Sequence, residues 1–184
     1  MIGGRPSLLC GLRLLLACLA WQAAAAIAVA QPTSPVSEYS LKAVLLYRLP
    51  SFTYWTDSNR LSNSLCIVGS NPFAGQLERI AAETSDSRRL DIRQLTASTD
   101  WNGCDVLFIG RSESSNLEGH LRRADSRRGL LTVSDIPGFA KQGGMVEMTM
   151  TGDRVGVQIN RKMAQKQGLD FSAQLLRLAQ WVVQ

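Results

Sequence analysis

Cys66 and Cys104 are the two residues of this chain best suited to covalent chemistry. The chain has four cysteines, and the other two lie in an N-terminal segment that we expect to be removed. Each of the remaining two stands near the start of an apolar run typical of a strand. If those strands are parallel neighbours, a disulfide is within reach, and an oxidising compartment favours it. The alternative is two buried thiols on opposite faces of the sheet, which pack as small apolar side chains.

A second group of polar residues follows the predicted strands. These residues are Ser70 and Asn71, Arg111 and Ser112, and Ser134 and Asp135. In open α/β sheets, ligands bind beyond the carboxyl ends of parallel strands. The group therefore marks the crevice of a small-ligand sensor or solute-binding lobe, in which Arg111 can meet an anion. For Asp135, which is followed by Ile136-Pro137-Gly138, a turn-forming carboxylate is the favoured interpretation.

The motifs of common enzyme classes are missing from the sequence. His120 is the single histidine, and its polar neighbours predict a solvated surface residue. No nucleophile elbow, Walker loop or glycine-rich dinucleotide turn is present. One histidine without a Cys-x-x-Cys pair gives too few ligands for a zinc site. We therefore expect a protein that is not an enzyme and that needs neither a cofactor nor a metal.

The first thirty residues have the layout of a secretory signal peptide. Arg5 and Arg13 precede an apolar run from Leu14 through Val29, and Ala28-Val29-Ala30 offers small residues to a signal peptidase. We expect cleavage after Ala30 and export to the periplasm. A lipoprotein cleavage at Cys18 is a weaker alternative, because bulky Leu16 precedes it within the box. A retained membrane anchor is also weaker, because the apolar run is short.

Cleavage leaves 154 residues, which suit one domain over residues 38–184 after a flexible Pro- and Ser-rich leader at residues 31–37. The net charge falls from +5 to +3, since Arg5 and Arg13 leave with the signal. The arginine pairs at positions 88–89, 122–123 and 127–128 are separated by acids and not interleaved with aromatic residues. This pattern indicates solvated faces and argues against a nucleic-acid partner.

Strands and helices alternate through most of the chain. Ser37 is placed to cap a first helix, which Pro50 should end or kink. Its apolar positions recur at helical spacing: Leu41, Val44, Leu45, Leu49 and Phe52. Apolar runs predict strands at residues 65–68, 90–95, 104–109 and 130–133, with helices around residues 73–81 and 117–124.

The last part of the chain changes character. Alternating apolar residues over 146–151 and 155–159 predict a hairpin around Gly152-Asp153. A short helix follows at Arg161–Gln167, capped by Asn160. A longer helix should place Phe171, Leu175, Leu178 and Val182 on one side, packed on the sheet. Together these elements predict a single α/β layered domain with a mixed, mostly parallel sheet, a C-terminal antiparallel hairpin and flanking helices.

Several sequence blocks form one pattern over almost the whole mature chain. They are Glu38-Tyr39 with Lys42-Ala43, Leu46-Tyr47, Phe52 and Trp55; residues 66–69 with Asn71-Pro72-Phe73; residues 104–109; residues 131–140 with Gly143-Gly144-Met145; and Ile159-Asn160 with Gly168-Leu169, Ser172 and residues 175–179. The pattern resembles the YfiR family of periplasmic proteins. The chain departs from it at Arg48-Leu49-Pro50, where the family usually has Asn, Phe and Ala, and at Thr56, where proline is usual.

The resemblance implies regulation rather than catalysis. YfiR-like proteins repress a membrane-bound diguanylate cyclase by engaging its periplasmic sensor region, which lowers cyclic di-GMP and biofilm formation. An OmpA-like outer-membrane lipoprotein can sequester the repressor, and a homodimer is also implied. The rival function, from a different class, is the small-ligand sensor or solute-binding lobe described above.

Three aromatic residues in predicted loops are candidate partner contacts. They are Tyr54 and Trp55, after the first helix, and Phe139, in the Pro137-Gly138 turn. Aromatic side chains often anchor protein interfaces. The alternative is that Trp55 and Phe139 are core residues that seal the ends of loops, because isolated aromatics commonly pack inward.

Overall fold

Seven strands of the protein form one mixed sheet in a computed structural model that describes residues 37–56, 64–84, 89–96 and 98–183. The predicted signal peptide, and all of the predicted leader except Ser37, lie outside the described residues. Ser37 caps the first helix as predicted, because its hydroxyl oxygen accepts the N–H of Ser40 at 3.2 Å. None of the helices in the described ranges is long and apolar enough to cross a bilayer.

From Ser64 to Lys166, helices and strands follow one another in the order that the sequence patterns indicate, and the short strands β1, β8 and β9 were not predicted. The helices are α1 (Glu38–Arg48), α2 (Gln76–Glu83), α3 (Leu117–Asp125), α4 (Arg161–Lys166) and α5 (Ala173–Leu178), with 3₁₀ turns at Leu49–Phe52 and Arg111–Asn116. The strands are β1 (Thr53–Trp55), β2 (Ser64–Val68), β3 (Asp91–Leu95), β4 (Val106–Ile109), β5 (Leu131–Ser134), β6 (Val146–Thr151), β7 (Arg154–Asn160), β8 (Leu169–Phe171) and β9 (Ala179–Val183).

The large sheet has the strand order β3-β2-β4-β5-β6-β7-β9. Neighbouring strands from β3 to β6 are parallel, β6 and β7 form the predicted antiparallel hairpin, and β9 runs parallel to β7. Strands β1 and β8 form a separate antiparallel pair. This arrangement confirms the predicted α/β class with a mixed, mostly parallel sheet.

The central strands β2, β4 and β5 are buried along their whole length, as their continuous apolar runs require. Alternate residues of these strands point to two separate cores. Leu65, Phe108 and Val133 belong to the core that α1 and α2 cover, together with Leu46 and Leu77. The other core lies on the face that carries α3 and contains Trp101. Each face of the sheet is therefore sealed by helices or loops.

Cys66 and Cys104 form a disulfide, which confirms the favoured interpretation of the two cysteines. Cys66 lies within β2, and Cys104 comes two residues before Val106, the first residue of the neighbouring strand β4. Their Cα atoms are 5.8 Å apart, and both residues are buried in the core that contains Trp101. The bond therefore ties the segment that leads into β4 to the middle of β2.

The prediction of a long C-terminal helix was wrong. Helix α5 ends at Leu178, and the chain continues as the edge strand β9, in which Trp181 lies opposite Gln158 and Val182 opposite Ile159. Aromatic and β-branched residues favour a strand, and β7 offers an unpaired edge with which β9 forms backbone hydrogen bonds. Leu178 is consequently 66% exposed rather than packed on the sheet, whereas Leu175 is buried.

The buried face of α1 also differs from the predicted stripe. Lys42, Ala43, Leu46 and Tyr47 are its buried residues, and Val44 is 51% exposed. The cause is the burial of Lys42. With Lys42 facing inward, the helix is rotated so that the predicted apolar position Val44 faces solvent. The end of the helix was predicted correctly, because α1 stops at Arg48 and Pro50 enters the 3₁₀ turn that follows.

Removal of the disulfide should lower the stability of the protein. Replacing both cysteines (Cys66→Ala with Cys104→Ala) frees a loop with a sequence separation of 38. Loop-closure estimates give a loss of about 3–4 kcal/mol for a loop of this size. Urea unfolding measures the change, and wild-type protein unfolded under reductant serves as the control, expected to match the double variant. Equal stability of variant and oxidised wild type would contradict the prediction.

Candidate functional site

A buried ion pair lies where α1 crosses the carboxyl edge of the parallel strands. The Lys42 ammonium is 2.8 Å from Asp135 Oδ2, and the two side chains are 1% and 0% exposed. Asp135 is the first residue after β5, so the end of that strand fixes its position. Lys42 also pairs with Glu38 one helical turn earlier. Two opposite charges are thus held out of water, where an unmatched charge would be very costly.

Two further donors converge on the same carboxylate oxygen of Asp135. Arg111, which follows β4, places its Nε 3.1 Å from Oδ2, and the hydroxyl of Tyr39 donates to Oδ2 at 3.0 Å. Arg111 also lies 3.5 Å from Glu38. The cluster contains two cationic and two anionic side chains, so its formal charges balance. We call Glu38, Tyr39, Lys42, Arg111 and Asp135 the edge cluster.

The edge cluster perturbs the phenol of Tyr39. Burial, then the negative charge of Asp135 and the hydrogen bond to it, raise the pKa of Tyr39 from 10.0 to about 12. Tyr39 therefore stays protonated and keeps donating to Asp135 over the neutral range. The other carboxylate oxygen, Asp135 Oδ1, is buried and receives no hydrogen bond within the described residues.

The residues of the predicted crevice divide into two groups. Arg111, Ser134 and Asp135 lie together, and the Ser134 hydroxyl donates to the carbonyl of Ile109 at 2.7 Å. Ser70 and Ser112 also meet, through an N–H···O bond of 2.8 Å. Arg111 already faces two carboxylates, so little of its positive charge is left for an anion. Ligand binding at this crevice remains a prediction.

Asn71, the remaining crevice residue, shapes its own turn. Its side-chain oxygen accepts the N–H of Phe73 at 2.9 Å, a bond typical of a turn at the start of a helical segment. Close by, a Cβ at Gly110 would lie 2.7 Å from the carbonyl oxygen of Ser70. The backbones after β2 and β4 therefore approach so closely that only glycine fits there.

Phe139 is a core residue, which agrees with the alternative interpretation of this side chain and not with a partner contact. Its side chain is fully buried, and a Cβ at Gly144 would lie 2.1 Å from the ring, so the ring lies directly against that glycine. The buried carboxylate of Glu147 accepts the N–H groups of Gly138 and Ala140 at 3.0 and 3.1 Å. This turn is thus held by internal contacts.

Tyr54 and Trp55 lie on the two-stranded ribbon formed by β1 and β8. Trp55 is partly buried against the core, and its Nε1–H donates to the carbonyl of Gly129 at 2.9 Å. Tyr54 is 61% exposed and pairs across the ribbon with Asp170. Of the three predicted contact aromatics, Tyr54 alone presents its ring to solvent.

A bidentate ion pair stiffens the ribbon beside Tyr54. Arg161 binds the two carboxylate oxygens of Asp170 at 2.7 and 2.8 Å. The hydrogen bond from Arg161 is the main reason that the pKa of Asp170 falls to about 2. Asp170 is therefore ionised over the physiological range, and its charge is matched by Arg161.

His120 is buried, contrary to the prediction of a solvated surface residue. It is 3% exposed, its Nε2 lies 2.8 Å from Glu113, and its ring lies 5.8 Å from that of Trp101. The spacing of His120 from Leu117 and Ala124, three and four residues away, signals a shared buried face of α3. The prediction of an exposed histidine gave more weight to its charged neighbours in the sequence than to this spacing. Among the described residues, no three potential metal ligands converge.

Lys42 is the functional-site residue that the sequence interpretation missed. Lysine is almost never fully buried unless it is paired, and the partner of Lys42 lies 93 residues away. The one local signal is Glu38 at the i−4 position, a spacing that allows an ion pair on a helix surface. That spacing does not distinguish a buried pair from an exposed one.

Loss of the Lys42 charge should destabilise the fold strongly. Lys42→Met keeps the apolar stem but leaves Asp135 with one less positive neighbour, at a cost of about 3–5 kcal/mol for a broken buried pair. Urea unfolding gives the loss. The control, Lys162→Met, changes an exposed lysine of α4 and should stay within about 0.5 kcal/mol of wild type. Equal effects of the two substitutions would contradict the buried pair.

Alkaline titration tests the environment of Tyr39. Because its folded pKa is raised from 10.0 to about 12, its contribution to stability is complete below pH 10 and is lost as the pH rises toward 12. Tyr39→Phe should remove the component of the tyrosinate absorbance titration centred near pH 12. Asp135→Asn should move that component to lower pH. If the titration curve of Tyr39→Phe instead lacked a component near pH 10, the raised pKa of Tyr39 would be contradicted.

Two solved structures share the fold at low sequence identity. One is a conserved domain protein from Vibrio cholerae O1 biovar El Tor, with a TM-score of 0.54 and 12% identity, covering 80% of this chain and 60% of that one. The other is an ABC domain in complex with L-Trp from Streptococcus pneumoniae, with a TM-score of 0.53 and 11% identity, covering 78% and 62%. The chain thus spans less than two thirds of either structure.

No curated protein matches the chain. The sequence model of a family described as YfiR/HmsC-like does match, over residues 39–180. This range contains the disulfide, all of the edge cluster except Glu38, the ribbon and the turn around Phe139, and it ends within β9. The chain therefore belongs to the YfiR/HmsC-like family.

Proposed function

We propose that this protein is a periplasmic repressor of a membrane-bound diguanylate cyclase. The family match over residues 39–180 carries the proposal. The repressor engages the periplasmic sensor region of the cyclase and thereby lowers cyclic di-GMP and biofilm formation. This function needs a binding surface and no reaction, which agrees with a sequence that lacks the motifs of common enzyme classes.

Export is the first requirement of this function. The sequence of residues 1–30 has the charge, apolar run and small-residue cleavage site of a secretory signal. Cleavage after Ala30 would deliver the domain to the compartment that contains the sensor region. The Cys66–Cys104 disulfide suits that oxidising compartment.

The ribbon of β1 and β8 is the proposed contact surface for the cyclase. Tyr54 offers a large exposed ring at low entropic cost, since only two torsions need to be fixed. Its surroundings are rigid, because Trp55 is bonded to Gly129 and Asp170 to Arg161. A preorganised surface loses less entropy on binding.

Release of the cyclase requires a competing partner. We propose an OmpA-like outer-membrane lipoprotein for this role. We also propose that the repressor forms a homodimer, which is the form that binds either partner. The lipoprotein draws the repressor from the cyclase only to the extent that the two binding affinities differ. Each tenfold ratio of dissociation constants corresponds to about 1.4 kcal/mol of binding free energy. One aromatic contact is large enough to supply such a difference.

Deletion of the gene should raise cyclic di-GMP and biofilm in the host. An exported copy of the protein should restore the low level, whereas a copy without residues 1–30 should not, because it never meets the sensor region. Cyclic di-GMP in cell extracts is the readout, and immunoblots of cell fractions verify where each copy resides. Equal restoration by a copy confined to the cytoplasm would contradict the periplasmic mechanism.

Truncation of Tyr54 should weaken cyclase binding and leave the fold intact. A central aromatic contact contributes about 2 kcal/mol or more, so Tyr54→Ala should lower the affinity for the sensor region roughly thirtyfold. The matched control is Leu178→Ala, which truncates another exposed side chain, at the end of α5. Pull-down of the sensor region is compared with thermal unfolding for each variant. Undiminished binding of folded Tyr54→Ala would exclude the ring from the interface.

A further inference from the structure

A pocket of about 230 Å³ lies between α3, α4 and the turn that precedes β6. Apolar side chains of Leu121, Met145 and Met163 line it together with the polar side chains of Thr132 and Gln167. The pocket lies beside the start of β5, because the N–H of Gly129 donates to the carbonyl of Gln167 at 2.8 Å. Asp135 and the edge cluster follow the other end of that strand, so the pocket is separate from them.

Gln167 supplies a fixed hydrogen-bond acceptor in the wall of the pocket. The residue is 3% exposed, and its Nε2 donates to the carbonyl oxygen and to Oδ1 of Asp125 at 2.8 and 2.9 Å. These two bonds fix the orientation of the amide. Its Oε1 accepts no hydrogen bond within the described part of the chain. Because this oxygen is not sealed from solvent, water or a ligand in the pocket can donate to it.

Thr132 supplies the complementary donor. Its hydroxyl oxygen accepts the N–H of Met145 at 3.1 Å, so its O–H hydrogen remains free to donate. Thr132 is 2% exposed and comes from the second position of β5, which holds it rigidly. Gln167 and Thr132 therefore offer one acceptor and one donor beside the apolar side chains, and the other polar residues of the lining are Glu118, Arg122, Asp125 and Gln142.

The two methionines define the shape of the ligand. Met145 is buried in the core that α1 and α2 cover, Met163 packs against that core, and both residues also line the pocket. Methionine adapts to irregular ligands and makes favourable contacts between its sulfur and aromatic rings. A cavity of roughly 150 Å³ holds benzene, so a volume of about 230 Å³ suits one substituted ring.

The charges at the rim are already paired. Arg122 lies 2.7 Å from Glu118, and Lys166 lies 2.8 Å from Asp125. A charged ligand would have to compete with these pairs or lose water without a counter-ion. A neutral ligand avoids both costs.

The geometry points to a binding site for a small neutral aromatic molecule with one hydroxyl group, that is, a simple phenol. The ring packs on Met145, Met163 and Leu121, and the hydroxyl donates to Gln167 Oε1. The donor of Thr132 is available to the hydroxyl oxygen. The site does not depend on the proposed cyclase repression, so either can fail without the other.

Methyl NMR of the mature protein labelled at methionine with ¹³C tests this site. The probe is p-cresol, and toluene is the control ligand of the same shape without a hydroxyl. We expect p-cresol to shift the methyl signals of Met145 and Met163 saturably, while Met148 and Met150, which do not line the pocket, stay in place. The affinity for p-cresol should exceed that for toluene about tenfold, which corresponds to about 1.4 kcal/mol.

Two variants separate the acceptor from the cavity. Gln167→Leu should remove the preference for p-cresol over toluene, whereas Gln165→Leu, two residues earlier in α4 and outside the pocket, should keep it. Met163→Trp fills the cavity and should abolish binding of both probes, with the Met148 signal reporting that the fold is intact. No saturable shift, equal shifts of all four methyl groups, or equal affinity for the two probes in wild type would each overturn the proposal.

Discussion

The buried pair of Lys42 and Asp135 is the constraint on which the arrangement of the domain depends. Both side chains are out of water, so each is tolerable only while the other is in place. This requirement fixes the rotation of α1, because Lys42 must point at the end of β5. Ala43, Leu46 and Tyr47 then face the sheet, and Val44 faces solvent. Arg111 adds the end of β4 to the same contact.

The position of α1 determines how the ribbon is presented. Helix α1 ends at Arg48, and Pro50 suits the start of the 3₁₀ turn, where its missing N–H is not needed. The turn leads directly into β1, which pairs with β8 and carries Tyr54 on its outer side. The domain therefore joins a packed interior to the exposed ring of Tyr54, the residue that we propose contacts the cyclase. The family to which the chain belongs is consistent with that role.

The sequence predicted the features that depend on local pattern. Continuous apolar runs gave the buried strands, and alternation gave the hairpin of β6 and β7. The disulfide joins residues 38 apart, and its prediction rested instead on two neighbouring strands and an oxidising compartment. The errors concern residues whose state depends on distant partners. Lys42 is buried beside Asp135, which lies 93 residues away. His120 differs, because its spacing from Leu117 and Ala124 is a local signal of burial that its charged neighbours concealed. Residues 179–183 form a strand because β7 has a free edge, which no helical periodicity can reveal.

Direct inhibition of the cyclase tests the central claim. The cyclase that copurifies with this protein from envelope extracts is reconstituted in vesicles, with its sensor region facing outward and its catalytic domain supplied with GTP inside. Mature protein added outside should lower the rate of cyclic di-GMP synthesis saturably, and Tyr54→Ala protein should require a higher concentration for the same effect. An unchanged rate at saturating concentrations of folded wild-type protein would contradict repression through the sensor region.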